Sequence, residues 1–436
     1  MKILHYSLGL SPYRRGGLTR YATDLMHAQQ EAGHEVSMLY PAGVVPLTRR
    51  MKTRRHHHPW LKHLISLQNT LPVPLLHGVS DPQSLCDEQH IDESALERIL
   101  QRVQPDVLHL HTLMGLPSAF LTMARQRHIR IVYTTHDYYG LCLRTNFTDY
   151  HGKACQRPDA ACCASCNAKA MSTFRLRVCN QPIVMRMKNW LHLGMPEWFE
   201  QPTAHADESQ RDATHYESLL AHYHTMWQQI DRFHFNSAVA RRVFERHLGA
   251  LPGRVIPITH RGITDRRQAR VFDSAMLRVG FVGSVAPYKG FRVLCNAMKS
   301  MEVPWRLDVW GNRIKMKIDD GRIHNRGIFA DGSENEVYGG MDVLVVPSLW
   351  EETFALVVLE ALSHGTPVLV SDTVGAQEVV RRYAPEFVYH GEEGLRQMLA
   401  AIAADRSMLQ RYHRAIMTMP WHESMSRHCE ELMMLY

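Results

Sequence analysis

Short apolar runs of strand length alternate with helical periodicities along most of the chain. Lys2 to Tyr6 forms one such run, followed by a loop carrying Gly16 and Gly17. Leu18, Tyr21, Ala22, Leu25 and Met26 then repeat at helical spacing, Gly33 sits where a C-terminal glycine cap belongs, and Glu35 to Tyr40 resumes a strand. The pattern recurs at Val107 to His111 and at Arg130 to Thr134, runs that lead into polar loops containing His111 and His136. A second series runs through Leu277 to Gly283, Arg306 to Trp310, Met341 to Pro347 and Pro367 to Ser371. The expectation is an α/β protein with two doubly wound, Rossmann-like domains, residues 1–262 and 275–418, facing a central cleft. From Trp421 to Tyr436 the chain reads as an amphipathic helix with Met425, Cys429, Leu432 and Met433 on one face. Residues 419–436 are expected to pack back on the N-terminal domain.

Length supports the same division, since 436 residues exceed what one core usually holds. No apolar run approaches the ~20 residues needed to span a bilayer, and Met1 to Tyr6 is too short for a signal peptide, so a cytoplasmic protein is expected. Nine cysteines, an odd number without an export signal, argue against a disulfide framework. The net charge of +7 favours an anionic partner. Nucleic acid is not expected, because the chain has no sustained Lys/Arg stripe interleaved with aromatics.

The most informative stretch is Pro347-Ser348-Leu349-Trp350-Glu351-Glu352-Thr353-Phe354-Ala355-Leu356-Val357-Val358-Leu359-Glu360-Ala361. It joins a strand to a helix expected to begin near Phe354, whose free N–H groups and positive dipole end make an anion site suited to a diphosphate. If Glu352 and Glu360 were both helical they would lie ~12 Å apart along the axis. That exceeds the ~5–9.5 Å carboxylate separation of glycoside hydrolysis, so the two acids are expected to hold different parts of one ligand. Acids in a first helical turn are also favoured by the helix dipole alone, and a structural role for Glu351 and Glu352 is the plainer alternative.

This segment resembles the Glu-x7-Glu element of the retaining GT-B glycosyltransferases of family 4. The resemblance implies that Glu352 lies by the transferred sugar and acts in catalysis, and that Glu360 binds the ribose hydroxyls of the nucleotide. Phe354, Ala355 and Leu356 fall on the donor-binding run, with Ala355 replacing the usual glycine, and Gly365-Thr366-Pro367-Val368 and Gly375-Ala376-Gln377-Glu378 continue it. Gly283-Ser284-Val285-Ala286-Pro287-Tyr288-Lys289-Gly290 is similar to the family's strand-end loop, in which an arginine and a lysine neutralise the departing diphosphate. Lys289 fits the lysine and Ser284 stands where the arginine is common, leaving Arg261 or Arg14 as replacements. The family match places Gly16 and Gly17 in the N-terminal glycine loop near the donor phosphates and His111 by the reacting sugar. His109 is assigned to the opposite side of the strand as a buried partner, and His136 to either role. The resemblance implies transfer from a UDP- or GDP-linked sugar to a saccharide or lipid-linked saccharide acceptor, with retention and with no metal required, in surface polysaccharide assembly (O-antigen, capsule or exopolysaccharide). A binding protein that keeps the fold without activity, motivated by Ser284 and Ala355, and a nucleotide-sugar epimerase remain as rivals.

Two other features stand apart from the donor site. A Cys-rich insertion, about residues 138–200, carries Cys142, Cys155, Cys162, Cys163 and Cys166. The two-residue gap of Cys163 and Cys166, completed by Cys142 and Cys155, suits a tetrahedral structural zinc site, with free cysteines or a redox pair as the alternative. Arg49 to Lys62 gathers Arg50, Lys52, Arg54, Arg55, three consecutive histidines and Trp60. Phe174 to Phe199 repeats that composition. Such stretches suit peripheral contact with an anionic membrane, extending the expected location to the inner face of the cell membrane, or form solvated basic faces.

Overall fold

Strand runs rich in Val, Ile and Leu become strands because their side chains are removed from water on both sheet faces, as parallel sheets require. The computed structural model describes residues 1–149, 154–155, 158–182, 184–185, 187, 213–311, 320–330 and 332–436. The chain separates into two compact units. Unit 1 comprises Met1–Asn236, Arg241–Ile256 and Met425–Tyr436, and unit 2 comprises Ser237–Ala240 and Pro257–Ser424.

Unit 1 is built on β1 (Lys2–Tyr6), β2 (Glu35–Pro41), β3 (Lys52–His56), β4 (His63–Gln68), β5 (Val107–Leu110), β6 (Arg130–Thr134), β7 (Arg232–Phe235) and β8 (Gly253–Val255). Their order among the described residues is β3-β4-β2-β1-β5-β6-β7-β8. All pairings are parallel except β3 with β4. The basic run at 49–62 therefore supplies an edge strand, β3, whose Lys52, Arg54 and Arg55 are exposed, a charged edge of the kind that resists strand addition. Helix α1 (Gly17–Glu31) follows β1, and helix α2 (Ala160–Cys166) lies in the Cys-rich insertion.

Unit 2 carries β9 (Leu277–Val282), β10 (Trp305–Trp310), β11 (Ile323–Gly327), β12 (Val343–Val346), β13 (Val368–Ser371) and β14 (Val388–Tyr389), ordered β11-β10-β9-β12-β13-β14 and wholly parallel. Helix α3 (Phe291–Lys299) follows β9 and α4 (Leu356–Ser363) follows β12. Helix α5 (Met425–Met433) returns to unit 1 and packs on α1, with Met425, His428, Cys429 and Leu432 buried. No described helix is long and apolar enough to cross a membrane.

Two expectations change. The strand expected over Met341 to Pro347 narrows to Val343–Val346, because Asp342 turns its carboxylate onto the backbone N–H (2.8 Å) and side chain (2.6 Å) of Arg278 at the start of β9. His109 shares a face with His111 instead of opposing it, and their ring centroids are 4.4 Å apart. Side chains two residues apart along a strand point the same way.

Candidate functional site

In unit 2 the strand ends carry the expected acids. Helix α4 begins at Leu356, two residues later than the sequence suggests, because Ala355 adopts a left-handed conformation (φ 78°, ψ 83°) that ends the extended run from β12. Glycine adopts this geometry without strain, whereas an L-residue there is strained by roughly 1–2 kcal/mol. Glu352 therefore lies on the loop before the helix and only Glu360 is helical. Backbone bonds pin that loop from both sides. The Glu352 N–H donates to Thr373 O at 3.0 Å, the Gly375 N–H donates to Glu352 O at 2.8 Å, and the Ala376 N–H donates to Phe354 O at 2.8 Å. Phe354, 2% exposed, anchors it in the core. The Gly375 run forms one wall of this loop, whereas Gly365 lies against His413 and the Gln268 carbonyl.

Each acid is held by two donors. Glu352 Oε1 accepts from Lys289 Nζ at 2.5 Å, and Oε2 accepts from the Ser348 hydroxyl. The Lys289 ammonium also sits 5.6 Å over the Trp350 ring. Glu360 Oε1 lies 2.9 Å from His260 Nε2, and its Oε2 accepts from the Tyr338 hydroxyl at 2.6 Å. His260 is 2% exposed, so burial fixes its ring against the carboxylate. Neither His260 nor Tyr338 is distinguished in the sequence, since they lie 100 and 22 residues from Glu360.

Lys289 ends a short 3-10 turn, Pro287–Lys289, that leads into α3. Gly290 follows at φ 74°, and a Cβ there would come within 1.7 Å of Pro347 O, so glycine alone lets this loop touch the acid-bearing one. Gly283 (φ 143°) lies at the end of β9 beside the Gly311 backbone, and Ser284 is exposed. The structure thus brings Lys289 to Glu352, with Phe354, Ala355, Leu356 and Glu360 in the same strand-to-helix segment. Arg261 is an exposed residue of unit 2 and Arg14 belongs to unit 1, where its guanidinium donates to Asn180 Oδ1.

In unit 1, Gly16 (φ 123°) caps α1, and both Gly16 and Gly17 are exposed just after β1. His111 is fully buried, with Nε2 3.0 Å from His5 Nδ1 and Nδ1 3.2 Å from His136 Nε2. His136 is half-buried and is the accessible end of this pair. Burial holds the His5 imidazole down to about 4 and His136 to about 3, and lowers His111 well below the ordinary histidine range. All three are neutral at physiological pH.

Among the cysteines, Cys142 and Cys163 are buried while Cys155, Cys162 and Cys166 are half-buried, and all five are free thiols. Burial pushes Cys155 up to about 12, and the nearby thiols of Cys162, Cys142 and Cys166 add to that shift. Cys162, outside the four expected ligands, is the thiol that raises Cys155 most. Among the described residues no three of these sulfurs lie within 4.8 Å of one another, so the structure does not bring the four expected ligands into one donor set. In the Phe174 to Phe199 stretch, residues 183, 186 and 188–199 lie outside the described residues.

Known proteins align with both units. Residues 15–185 match the Glycosyltransferase Family 4 model, and residues 277–405 match the model for Glycosyl transferases group 1. A D-inositol 3-phosphate glycosyltransferase of Nocardia farcinica is 38% identical over 78 residues, a segment that spans 17% of this chain and 17% of that protein. Sucrose-phosphate synthase from Thermosynechococcus elongatus aligns over 100% of this chain and 98% of its own, with 16% identity and a TM-score of 0.57. The Anabaena protein HepE, solved with UDP and glucose, aligns over 100% and 98% with 12% identity and the same TM-score of 0.57. At these identities the structural likeness establishes the fold. With a glycosyltransferase family model on each unit and the GT-B fold along its length, the chain is a glycosyltransferase of the GT4/GT-B type.

Proposed function

We propose that the protein transfers a sugar from a UDP- or GDP-linked donor to a saccharide or lipid-linked saccharide acceptor, with retention of configuration, in surface polysaccharide assembly. The observation that carries this reading is the pair of carboxylates Glu352 and Glu360, each fixed by two donors within one strand-to-helix segment. Held acids that are not paired with each other suit recognition of two parts of one ligand rather than acid/base hydrolysis. Glu360, oriented by His260 and Tyr338, accepts from the ribose hydroxyls. Glu352 meets the sugar. Lys289 and the first N–H groups of α4 stabilise the charge that builds on the diphosphate as the bond from its oxygen to the anomeric carbon breaks. A diphosphate oxygen then receives the proton of the attacking acceptor hydroxyl. The resemblance supports Gly16 and Gly17 as the residues near the donor phosphates. The same resemblance supports His111, in contact with His136, as the histidine by the reacting sugar. HepE, whose structure holds UDP and glucose, supports a uridine nucleotide as the first donor to try. The exposed cations of β3 support an anionic membrane surface as the place where a lipid-linked acceptor is met.

Purified protein screened for UDP or GDP release from a panel of sugar nucleotides, with and without acceptor extracts, tests this reading. Release that rises with an acceptor supports transfer. Nucleotide binding without release on any donor favours the non-catalytic rival, and recovery of an epimerised sugar nucleotide favours the epimerase.

We also infer that Cys142, Cys155, Cys163 and Cys166 hold a structural zinc ion, with Cys162 as a competing thiolate. Metal analysis of the purified protein is expected to find about one zinc per chain; a stoichiometry near zero removes the site.

A further inference from the structure

One face of the unit 1 sheet is polar where an apolar core would be expected. His5 on β1 is in register with His109 on β5, His109 with Val132 on β6, and Thr134 on β6 with His234 on β7. His111, two residues beyond His109, continues the same face. His5, His109, His111, Thr134 and His234 are all fully buried. Tyr21 and Gln29 of α1, with His428 of α5 and Tyr436 just beyond it, make hydrogen bonds in this row.

The hydrogen bonds form one continuous row whose direction is fixed at one end. His234 Nε2 lies 2.8 Å from Ile256 O, which only accepts, so Nε2 carries the proton and Nδ1 does not. His234 Nδ1 accepts from Thr134 Oγ1 at 2.9 Å, a shorter contact than the 3.5 Å to the Tyr21 hydroxyl. Thr134 Oγ1, having given its one proton, accepts from His109 Nε2 at 2.7 Å. His109 Nδ1 then accepts from the Tyr436 hydroxyl at 2.5 Å, whose oxygen accepts from Gln29 Nε2 at 2.8 Å. Gln29 Oε1 accepts from His5 Nε2 at 2.7 Å, His5 Nδ1 from His111 Nε2 at 3.0 Å, and His111 Nδ1 from His136 Nε2 at 3.2 Å. The imidazoles of His5, His109, His111 and His234 are each used as one donor and one acceptor, the inventory of the neutral form.

Three of these rings, His5, His109 and His111, offer nitrogens within 4.8 Å of one another, near enough to share a metal ion. All six of their ring nitrogens are already engaged in the row. A cation would have to displace it.

We propose that this buried row sets the tautomer of His136, holding its proton on Nε2 and leaving Nδ1 unprotonated, and that Gln29 is the positioning residue that anchors the His5–His111–His136 segment. Gln29 serves this role because its Oε1 is the acceptor on which that segment terminates, and because its amide nitrogen couples the segment to Tyr436 and His109. Removing the acceptor lets the three rings reverse together. The catalytic meaning of the tautomer rests on the transferase reading; the tautomer itself does not.

Selective 15N-histidine labelling and long-range 1H–15N spectra of the full chain read each ring's tautomer without any activity, with His136 assigned through His136→Gln. His5, His109, His111, His136 and His234 are all expected as Nε2–H forms. Gln29→Leu should mix the tautomers of His5, His111 and His136 while His234 keeps its own. Gln29→Glu retains the acceptor and should restore them. Tyr436→Phe, which cuts the row between His109 and Gln29, should disturb His109 and mix the tautomer of His136 less than Gln29→Leu does. Once a donor is in hand, Gln29→Leu is expected to lower kcat on the order of ten-fold at little cost in donor KM, with Gln29→Glu recovering most of it. An Nδ1–H form for His136 in the wild type, unmoved tautomers in Gln29→Leu, or a metal ion bound on His5, His109 and His111 would each overturn the proposal. Absence of turnover on every donor, with the tautomers as expected, would instead count against the transferase reading.

Discussion

The two units bury polar side chains in opposite ways. Unit 1 packs a sheet face with imidazoles that surrender their charge: His5 and His234 are held down to about 4 by burial, and each neutral ring passes one hydrogen bond to the next. Unit 2 keeps its inward carboxylates paired. Asp342 is matched to Arg278 and Asp308 lies between Arg306 and Arg326, while at the acid-bearing segment Glu352 has Lys289 and Ser348, and Glu360 has His260 and Tyr338. Burying a lone charge costs several kcal/mol, so a group either loses its charge or gains a partner. A row of neutral rings suits transmission of orientation. Partnered acids suit a ligand whose own hydroxyls and phosphates will rearrange those partners.

The comparison breaks first at Glu352. Glu352→Ala should lower kcat on the order of 10²–10³-fold with the fold intact by circular dichroism, since one preorganised group at the reacting centre is removed. Full activity would return Glu352 to the structural role that its place near the α4 N-terminus also allows.

The next largest effect belongs to unit 1 and appears in acid. An imidazole that titrates near 4 when folded and near 6.5 when unfolded makes the unfolded chain take up protons first as the pH falls. Stability is then complete above about pH 6.5 and is lost progressively from there down to about 4. At pH 5, His5 and His234 together should cost unit 1 about 4 kcal/mol. Hydrogen exchange resolved by segment should show β1, β5 and β7 losing more protection between pH 6.5 and 5 than β9, β12 and β13, whose unit also holds His364 and His413 lowered by burial. Equal loss in both units would remove the contrast.

Glu360→Ala comes third. Loss of the proposed charge-assisted contact to the ribose hydroxyls should raise the donor KM by roughly 10- to 100-fold with a smaller change in kcat. His260→Gln should give a milder version of the same split, because it leaves the acid present and loosens its orientation. The smallest effect is expected at Ala355, where φ is 78°. Ala355→Gly removes the strain of a left-handed alanine and should raise the stability of unit 2 by about 1 kcal/mol in thermal melts. Destabilisation would mean that the extra backbone freedom outweighs the strain.

The central strands could be read from the sequence because they announce themselves locally, as at Val343–Val346 and Val368–Ser371, whereas β3, a run of Lys, Thr, Arg and His, carries no apolar signal; the acid pair was legible because both members and their flanking residues lie in one short segment. The partners were not. His260 and Tyr338 reach Glu360 through the fold, and Gln29 and Tyr436 meet between residues 407 positions apart. His111 was marked by its strand end, yet that position gave no sign that β1, α1 and β6 would enclose it and leave His136 as the accessible ring. Cys162 is adjacent to Cys163 in sequence, and only the helical geometry of α2 tells the two apart, turning Cys163 inward and leaving Cys162 half-buried.

Titration calorimetry of UDP and of GDP into the wild-type protein and into Glu360→Ala tests the central claim most directly. Saturable one-to-one binding of at least one nucleotide, weakened ten-fold or more by the substitution, is the result predicted. No binding of either, or equal affinity in both proteins, would contradict a donor grip built on Glu360.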